Sequence, residues 1–359
     1  MRYALIGCGR IARRHIYAAL QNNLEIVALC DFCIEKAEKY IKEYSLKEKN
    51  PQIKIYSNYL EMLAAERLDL VAIATESGKH AGIAKKCLTH NVNVIIEKPI
   101  ALSTTDAQSI IDTAKACHKT MCICHQNRFN NAIQQLRDAV EKKRFGRILY
   151  GTLHVRWFRG NDYYSQSSWR GTWNQDGGAL MNQCIHGIDL LLWMMGSPVR
   201  EVYGTIRNMI HPQIQAEDLG VAVLKFANGS IATIEGTTDV FEDAQESCLC
   251  IFGTDGTVKI GGPALNAIEK WSFREKWPGD ENRITKENIK DIYGNSHPKI
   301  YKDMIAALTT GTEPCVTGLA GKNAMDVILA IYKSTKEGKP VVFPMKDFST
   351  LDMKEFSWE

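Results

Sequence analysis

The opening of the chain narrows its possible folds more than any other feature. A short apolar run, Arg2–Ile6, stops at Gly7-Cys8-Gly9-Arg10-Ile11-Ala12 and passes directly into helical apolar spacing over Ile11–Leu20. Strand, glycine turn and helix in that order make the phosphate-binding half of a βαβ unit. The first glycine permits the tight turn and the second lets backbone approach a pyrophosphate. Ala12 is small enough for helix and strand to pack closely. The helix N-terminus then offers unpaired N–H groups and a positive dipole end to phosphate. Asp31 follows a second apolar run, Ile26–Cys30, and lies 22 residues past Gly9 (31 − 9). There a carboxylate accepts hydrogen bonds from an adenosine ribose and repels a 2′-phosphate, so the expected cofactor is NAD rather than NADP.

The rhythm of the chain supports this reading. Strand-like runs at Leu70–Thr75, Val92–Ile96 and Met121–Cys124 alternate with helical patterns at Glu35–Tyr44, Lys79–His90 and Asp106–Cys117, the last preceded by Ser103 as a plausible N-cap. Such alternation implies a parallel, doubly wound sheet. Past about residue 145 the strands follow one another: Gly151–Phe158, Val199–Ile206, Gly220–Phe226, Ser230–Thr237, Ser247–Phe252 and Thr257–Ile260. Turn signals at Asn228-Gly229 and Asp255-Gly256 join several of them. The expected fold class is α/β, with a Rossmann domain over 1–125 and a C-terminal α/β domain with an open antiparallel sheet over 126–359. Helices at Ala179–Met195, Lys299–Thr309 and Lys322–Lys333 should pack on these sheets, and Trp271–Pro298 reads as a polar, solvated excursion.

Composition removes several function classes. With 44 basic against 41 acidic residues and a net charge of +3, no basic cluster marks a nucleic-acid or membrane partner. No stretch approaches the roughly 18 apolar residues of a membrane helix, and the first residues lack a signal-peptide core, so a cytoplasmic location is expected. Eleven scattered cysteines suit a reducing compartment. Cys117, His118, Cys122, Cys124 and His125 lie close together, but Met121–Cys124 is apolar throughout and reads as a buried strand, so no metal is expected.

Two further motifs carry a resemblance. Glu97-Lys98-Pro99 follows the strand at Val92–Ile96, at the carboxyl end of the sheet where open α/β folds hold ligands. Later stands Gly177-Gly178-Ala179-Leu180-Met181-Asn182-Gln183-Cys184-Ile185-His186-Gly187-Ile188-Asp189. With the glycine turn, these residues resemble the glucose–fructose oxidoreductase/inositol dehydrogenase/rhizopine-catabolism (Gfo/Idh/MocA) family along essentially the whole chain. Within it, His125–Asn130, Tyr163-Tyr164-Ser165, Trp169–Trp173 and Ala179–Gln183 are most similar to dehydrogenases that oxidise C3 of UDP-N-acetylglucosamine or its uronic acid.

The resemblance implies an NAD-dependent oxidoreductase that moves hydride between nicotinamide and a sugar ring hydroxyl. It implies that Lys98 donates a hydrogen bond to the reacting oxygen and that His186 is the general base. Removing a proton and a hydride from one carbinol needs a base with a pKa near operating pH, which histidine supplies. An ammonium stabilises charge growing on oxygen. The resemblance places Gly7, Gly9, Arg10, Ile11, Asp31, Thr75, His80, Glu97, Lys98, Gln126, Trp169 and Arg170 at the cofactor. It places Arg128, Arg159, Tyr164, Asn182 and Gln183 at the substrate. A diphosphate or uronate suits the arginines, although Arg156 or Arg159 could be an exposed strand charge. Alone, Lys98 could be a surface charge and His186 a satisfied core histidine; Asn182 one helical turn before His186 favours a shared face.

The sequence departs from the family in two places. Many members carry Asp where Asn182 stands, and Glu76 replaces a usual proline beside Thr75. A free polyol dehydrogenase is the alternative activity, and a non-catalytic NAD-binding regulator is disfavoured by the presence of both Lys98 and His186. The outer face of the C-terminal sheet is expected to form a homodimer or homotetramer interface.

Overall fold

The computed structural model describes residues 1–283 and 296–358. It divides into two compact units, Met1–Ala101 with Thr105–His125 and His297–Lys322, and Leu102–Thr104 with Gln126–Ser296 and Asn323–Glu359. The chain changes unit at 125/126. The C-terminal region expected wholly in the second domain is split, because His297–Lys322 returns to the first.

The first unit holds six parallel strands: β1 (Arg2–Ile6), β2 (Glu25–Cys30), β3 (Lys54–Tyr56), β4 (Leu70–Ile73), β5 (Asn93–Ile96) and β6 (Met121–Ile123). Their order is β3-β2-β1-β4-β5-β6. Strand order reverses beside β1, so the Gly7 turn stands at the switch point where such sheets hold ligands. Strands β4 and β6 are buried along their whole length, as expected for a parallel sheet covered on both faces. Strand β3 escaped the sequence reading because Lys54-Ile55-Tyr56 is a three-residue edge strand without an apolar run. The helix His297–Thr310 packs on Ala12–Gln21, and Tyr301 hydrogen-bonds both Tyr3 (2.8 Å) and His15 Nδ1 (2.7 Å) in a fully buried cluster.

The second unit holds β7 (Ile148–Arg156), β8 (Val199–Arg207), β9 (Leu219–Phe226), β10 (Ile231–Thr237), β11 (Glu246–Gly253), β12 (Gly256–Gly261), β13 (Ala267–Phe273) and β14 (Val341–Val342). The order is β13-β12-β11-β7-β10-β9-β8-β14. The sheet is mixed rather than purely antiparallel, since β7 and β10 pair in parallel. Turn signals identify the local hairpins, but the long-range pairing of β7 with β10 has no local signal. Trp271–Phe273, expected in a solvated excursion, complete β13, and Arg144 lies over the Phe273 and Trp277 rings at 4.2 Å each. Residues 284–295 of that excursion lie outside the described residues.

The helix Ile185–Met195 lies on the inner face of this sheet, and glycines on both sides set the separation. A Cβ on Gly151 would fall 2.7 Å from Met195 Sδ, and one on Gly187 would fall 2.8 Å from Leu153. The helix Gly318–Glu337 begins a turn earlier than its periodicity shows, because Gly318 and Gly321 read as turn residues. They instead let it approach Met121 and Ile123. Among the described residues no helix is long and apolar enough to cross a membrane.

One buried ion pair ties the helix Ile185–Met195 to the turn Gln126–Phe129. Arg128, 5% exposed, donates through Nε and Nη2 to Asp189, at 2.7 and 2.6 Å, with its guanidinium 4.6 Å over Trp193. Removing one partner of a buried pair leaves an uncompensated charge. Asp189→Asn should therefore cost about 3 kcal/mol or more, seen as a fall in Tm on the order of 10 °C by differential scanning calorimetry. A Tm within 2 °C of wild type would exclude this role.

Candidate active site

The first unit presents a built dinucleotide cradle. Gly7 has φ +95°, and a Cβ there would lie 2.5 Å from the Ala74 carbonyl oxygen, so only glycine fits. Nothing lies within 4 Å of a Cβ built on Gly9, leaving its backbone open to approach. The helix Ala12–Gln21 has no side-chain cap and no acidic residue in its first turn, so no side chain competes with phosphate for its positive dipole end. Asp31 accepts the Cys8 N–H (2.7 Å) on one oxygen and the Cys33 N–H (2.8 Å) on the other. It thus braces the glycine turn while each oxygen keeps a lone pair for a ribose hydroxyl. Arg10 is exposed and Ile11 half-buried at the helix start. These features fit NAD.

Glu76 has φ −63°, an angle that a proline could also adopt. Thr75 is half-buried beside it. His80 is buried, with Nδ1 2.7 Å from the Pro99 carbonyl and Nε2 3.1 Å from that of Thr75. Burial pushes its pKa down against the pull of those carbonyls. The ring sits between the carbonyls of the Thr75 loop and the Lys98-Pro99 turn, and its neutral form donates to one of them.

Glu97 faces inward. Its Oε1 meets His15 Nε2 at 3.0 Å and its Oε2 accepts the Lys98 N–H at 3.1 Å. Burial alone would raise its pKa, but the His15 hydrogen bond and the charges of His15, His297 and Lys98 hold it well below the usual carboxylate range. Glu97 therefore fixes the backbone from which the half-buried Lys98 side chain projects.

In the second unit the family motif adopts an unforeseen local form. Leu180–Cys184 is a π-helical turn, followed by the α-helix Ile185–Met195, instead of one α-helix over Ala179–Met195. Such turns recur at functional sites. Glycines make it possible. Gly177 has φ +80°, and a Cβ on Gly178 would collide with the Glu217 carboxyl. Glu217 Oε1 accepts the Leu180 N–H (2.8 Å) and the Tyr332 hydroxyl (2.9 Å), while burial pushes its pKa up to about 8. Asn182 donates its amide to the buried Asp176, which also accepts the Gly171 N–H at 2.9 Å. The Asn182 oxygen is thereby turned toward Gln183 Nε2 (2.7 Å). His186, half-buried, is the second residue of the α-helix.

Two arginines gather on this surface. Arg159 donates to Gln183 Oε1 (3.0 Å) and lies 5.2 Å from the Tyr163 ring centroid. Arg170 lies 4.1 Å over the same ring, donates to the Tyr163 carbonyl and is 5.7 Å from Trp169. Gln183 also donates to the Tyr163 hydroxyl at 2.8 Å. The Nε of both arginines is buried without a hydrogen-bond partner among the described residues.

Other expected site residues stand apart from this group. Arg128 is committed to Asp189, and Tyr164 is buried with its hydroxyl 3.1 Å from Thr238 Oγ1. Arg156 pairs with Glu235 and Glu246 on the sheet. Gln126 is buried in a 3-10 turn and Trp169 half-buried. Sequence reasoning missed Asp176, Glu217 and His15, and it quoted Tyr163 within Tyr163-Tyr164-Ser165 without giving it a role. Of the three missed, only Asp176, directly before Gly177-Gly178, carried a positional hint.

Comparison with known proteins agrees with both units. Residues 1–125 match the model of an oxidoreductase family with an NAD-binding Rossmann fold, and residues 133–259 match the GFO/IDH/MocA C-terminal domain. The crystal structure of the WlbA dehydrogenase from Bordetella pertussis, in complex with NADH and UDP-GlcNAcA, is 33% identical. It superposes with a TM-score of 0.86 over 96% of this chain and 99% of that one. Myo-inositol 2-dehydrogenase from Thermotoga maritima is 24% identical over 95% of this chain and 98% of its own length. D-apiose dehydrogenase from Paraburkholderia graminis is 23% identical over 94% and 88%.

The lowered pKa of Glu97 makes its contribution to stability depend on pH. A depressed carboxylate pKa gives stabilisation that is complete above the unfolded value, about 4.3, and lost as pH falls through the folded value. The Tm gap between wild type and Glu97→Gln should stay constant from pH 7 to about 5 and close below about 4. A gap that persists unchanged at pH 3 would rule this out.

Proposed function

Since the chain belongs to the oxidoreductase family with an NAD-binding Rossmann fold and a GFO/IDH/MocA C-terminal domain, we propose that it oxidises C3 of UDP-N-acetylglucosamine or its uronic acid. The observation that carries this reading is the pair of arginines on Tyr163. Both guanidinium groups donate to neutral oxygens, and neither pairs with a carboxylate among the described residues, so their charge is left for an anionic ligand. A diphosphate or a uronate is such a ligand, and a neutral polyol is not. The likeness to the Bordetella pertussis enzyme, which holds NADH and UDP-GlcNAcA, supports the same choice. The inositol and apiose dehydrogenases among the relatives favour a free sugar or polyol as the second reading.

When bound, NAD accepts the hydride from the carbinol carbon. His186 takes the hydroxyl proton, and the Lys98 ammonium hydrogen-bonds the oxygen as negative charge grows there. Asn182, its amide fixed by Asp176, presents its oxygen to orient a sugar hydroxyl. Gln183 and Tyr163 extend that polar surface. Arg159 and Arg170 grip the anionic groups, while Arg128, committed to Asp189, is left out of the substrate set. The outer face of the second sheet exposes Tyr203, Val221, Val223 and Ile231, an apolar patch that a second copy of the chain would cover in a homo-oligomer.

Lys98→Met and His186→Asn should each keep NADH affinity within a few-fold, measured by fluorescence titration, and lower kcat by roughly 100-fold or more. Near-normal turnover in either would remove its assigned role. Arg159→Ala and Arg170→Ala should raise KM for the UDP-sugar by about thirtyfold with a smaller change in kcat, because the anion lies remote from the reacting carbon. Oxidation of free polyols alone, with no turnover of UDP-sugars, would give the activity to the second reading.

A further inference from the structure

Arg159 is held from behind by a histidine outside the motifs that point to function. His211 is 2% exposed, and both its ring nitrogens meet acceptors. Its Nε2 lies 2.7 Å from the Arg159 carbonyl oxygen, and its Nδ1 lies 3.0 Å from Asp218 Oδ2 and 3.3 Å from Asp239 Oδ1. A neutral imidazole has one N–H and can serve only one side; the cation serves both. The surroundings favour the cation. Burial pushes the ring toward neutrality, but Asp218, Asp239 and the Arg159 carbonyl raise its pKa to about 9.

We propose that His211 is a positioning residue for substrate recognition: as an imidazolium anchored on Asp218 and Asp239, it clamps the Arg159 backbone so that the guanidinium is aimed at the anionic part of the substrate. This rests on the reading of Arg159 given above. Each partner comes from a different strand end. Arg159 lies just beyond β7, Asp218 just before β9 and Asp239 just beyond β10. Asp218 is itself fixed by the N–H groups of Met209 (2.8 Å) and Ile210 (3.0 Å). The Arg159 N–H donates to the Thr238 carbonyl (3.1 Å), so its peptide is held on both sides. Tyr164 packs on the His211 ring at 4.8 Å and bonds Thr238, which closes the remaining side. From this fixed peptide the guanidinium reaches back to the Phe158 carbonyl (2.7 Å) and across to Gln183, which leaves its Nε as the donor without a partner.

The test separates the two ends of the imidazole in the full-length protein. His211→Asn places an amide near the Nδ1 position and loses the bond to Arg159. His211→Gln reaches the Nε2 position and keeps it. His211→Asn should raise KM for UDP-N-acetylglucosamine uronic acid about tenfold, with a smaller effect on kcat and unchanged NADH affinity, whereas His211→Gln should stay within about threefold of wild type. His211→Asn should add nothing to Arg159→Ala, since both act through one guanidinium. If Arg159→Ala raises KM and His211→Asn does not, the clamp falls and the Arg159 reading stands. If Arg159→Ala leaves KM unchanged, both fall. A raised KM in His211→Gln, or loss of NADH binding in either variant, overturns the clamp. His211, Asp218 and Asp239 also lie close enough together to hold a cation. Zinc or manganese that raises the Tm of wild type but not of Asp239→Asn would make them metal ligands and overturn the proposal.

Discussion

A carboxylate accepting a main-chain N–H from beneath a loop is the interaction on which this protein's working surfaces depend. Asp31 holds the glycine turn through Cys8, Glu97 holds Lys98, Asp176 holds Gly171, and Glu217 holds Leu180. Glycine-rich turns have few side chains to pack, so their conformational entropy must be offset by something other than apolar burial. A buried carboxylate in turn needs donors to offset its desolvation. Each requirement meets the other, and the result is backbone held in place where ligands need it rigid.

The same logic bears on the departure at Asn182. The resemblance implies a carboxylate at this position; the amide that stands there is bonded to a carboxylate, Asp176, six residues earlier. The negative charge lies one hydrogen bond away. The Asn182 oxygen, which accepts from Gln183 Nε2, is an acceptor without net charge. The adjoining π-helical turn depends on the two glycines, because side chains there would collide with Met181 and Glu217.

Much of this was legible in the sequence, and the reasons differ by element. Strands β1, β4 and β5 are apolar runs ending at glycine or at motif residues, and periodicity finds them within a residue or two. The turn and Asp31 follow from local spacing along the first βαβ path, whereas Lys98 is marked by the family resemblance. What stayed hidden is non-local. The parallel pairing of β7 with β10 joins segments some 80 residues apart, and the three-residue β3 has no apolar signature. The commitment of Arg128 to Asp189 and the burial of Glu97 against His15 join residues 61 and 82 positions apart. No spacing rule reports whether an arginine in a motif faces a ligand or a partner in the core.

The return of His297–Lys322 to the first unit has a consequence for how the protein is made. Tyr3 and His15 emerge among the first residues, yet their buried hydroxyl and imidazole partner is Tyr301. At the usual 5–20 residues per second, roughly 15–60 s of translation separate the two. Throughout that interval the nascent Rossmann sheet has a helix face uncovered and two polar side chains waiting for a partner. The cofactor domain, first in the order of synthesis, is among the last parts of the molecule to be completed.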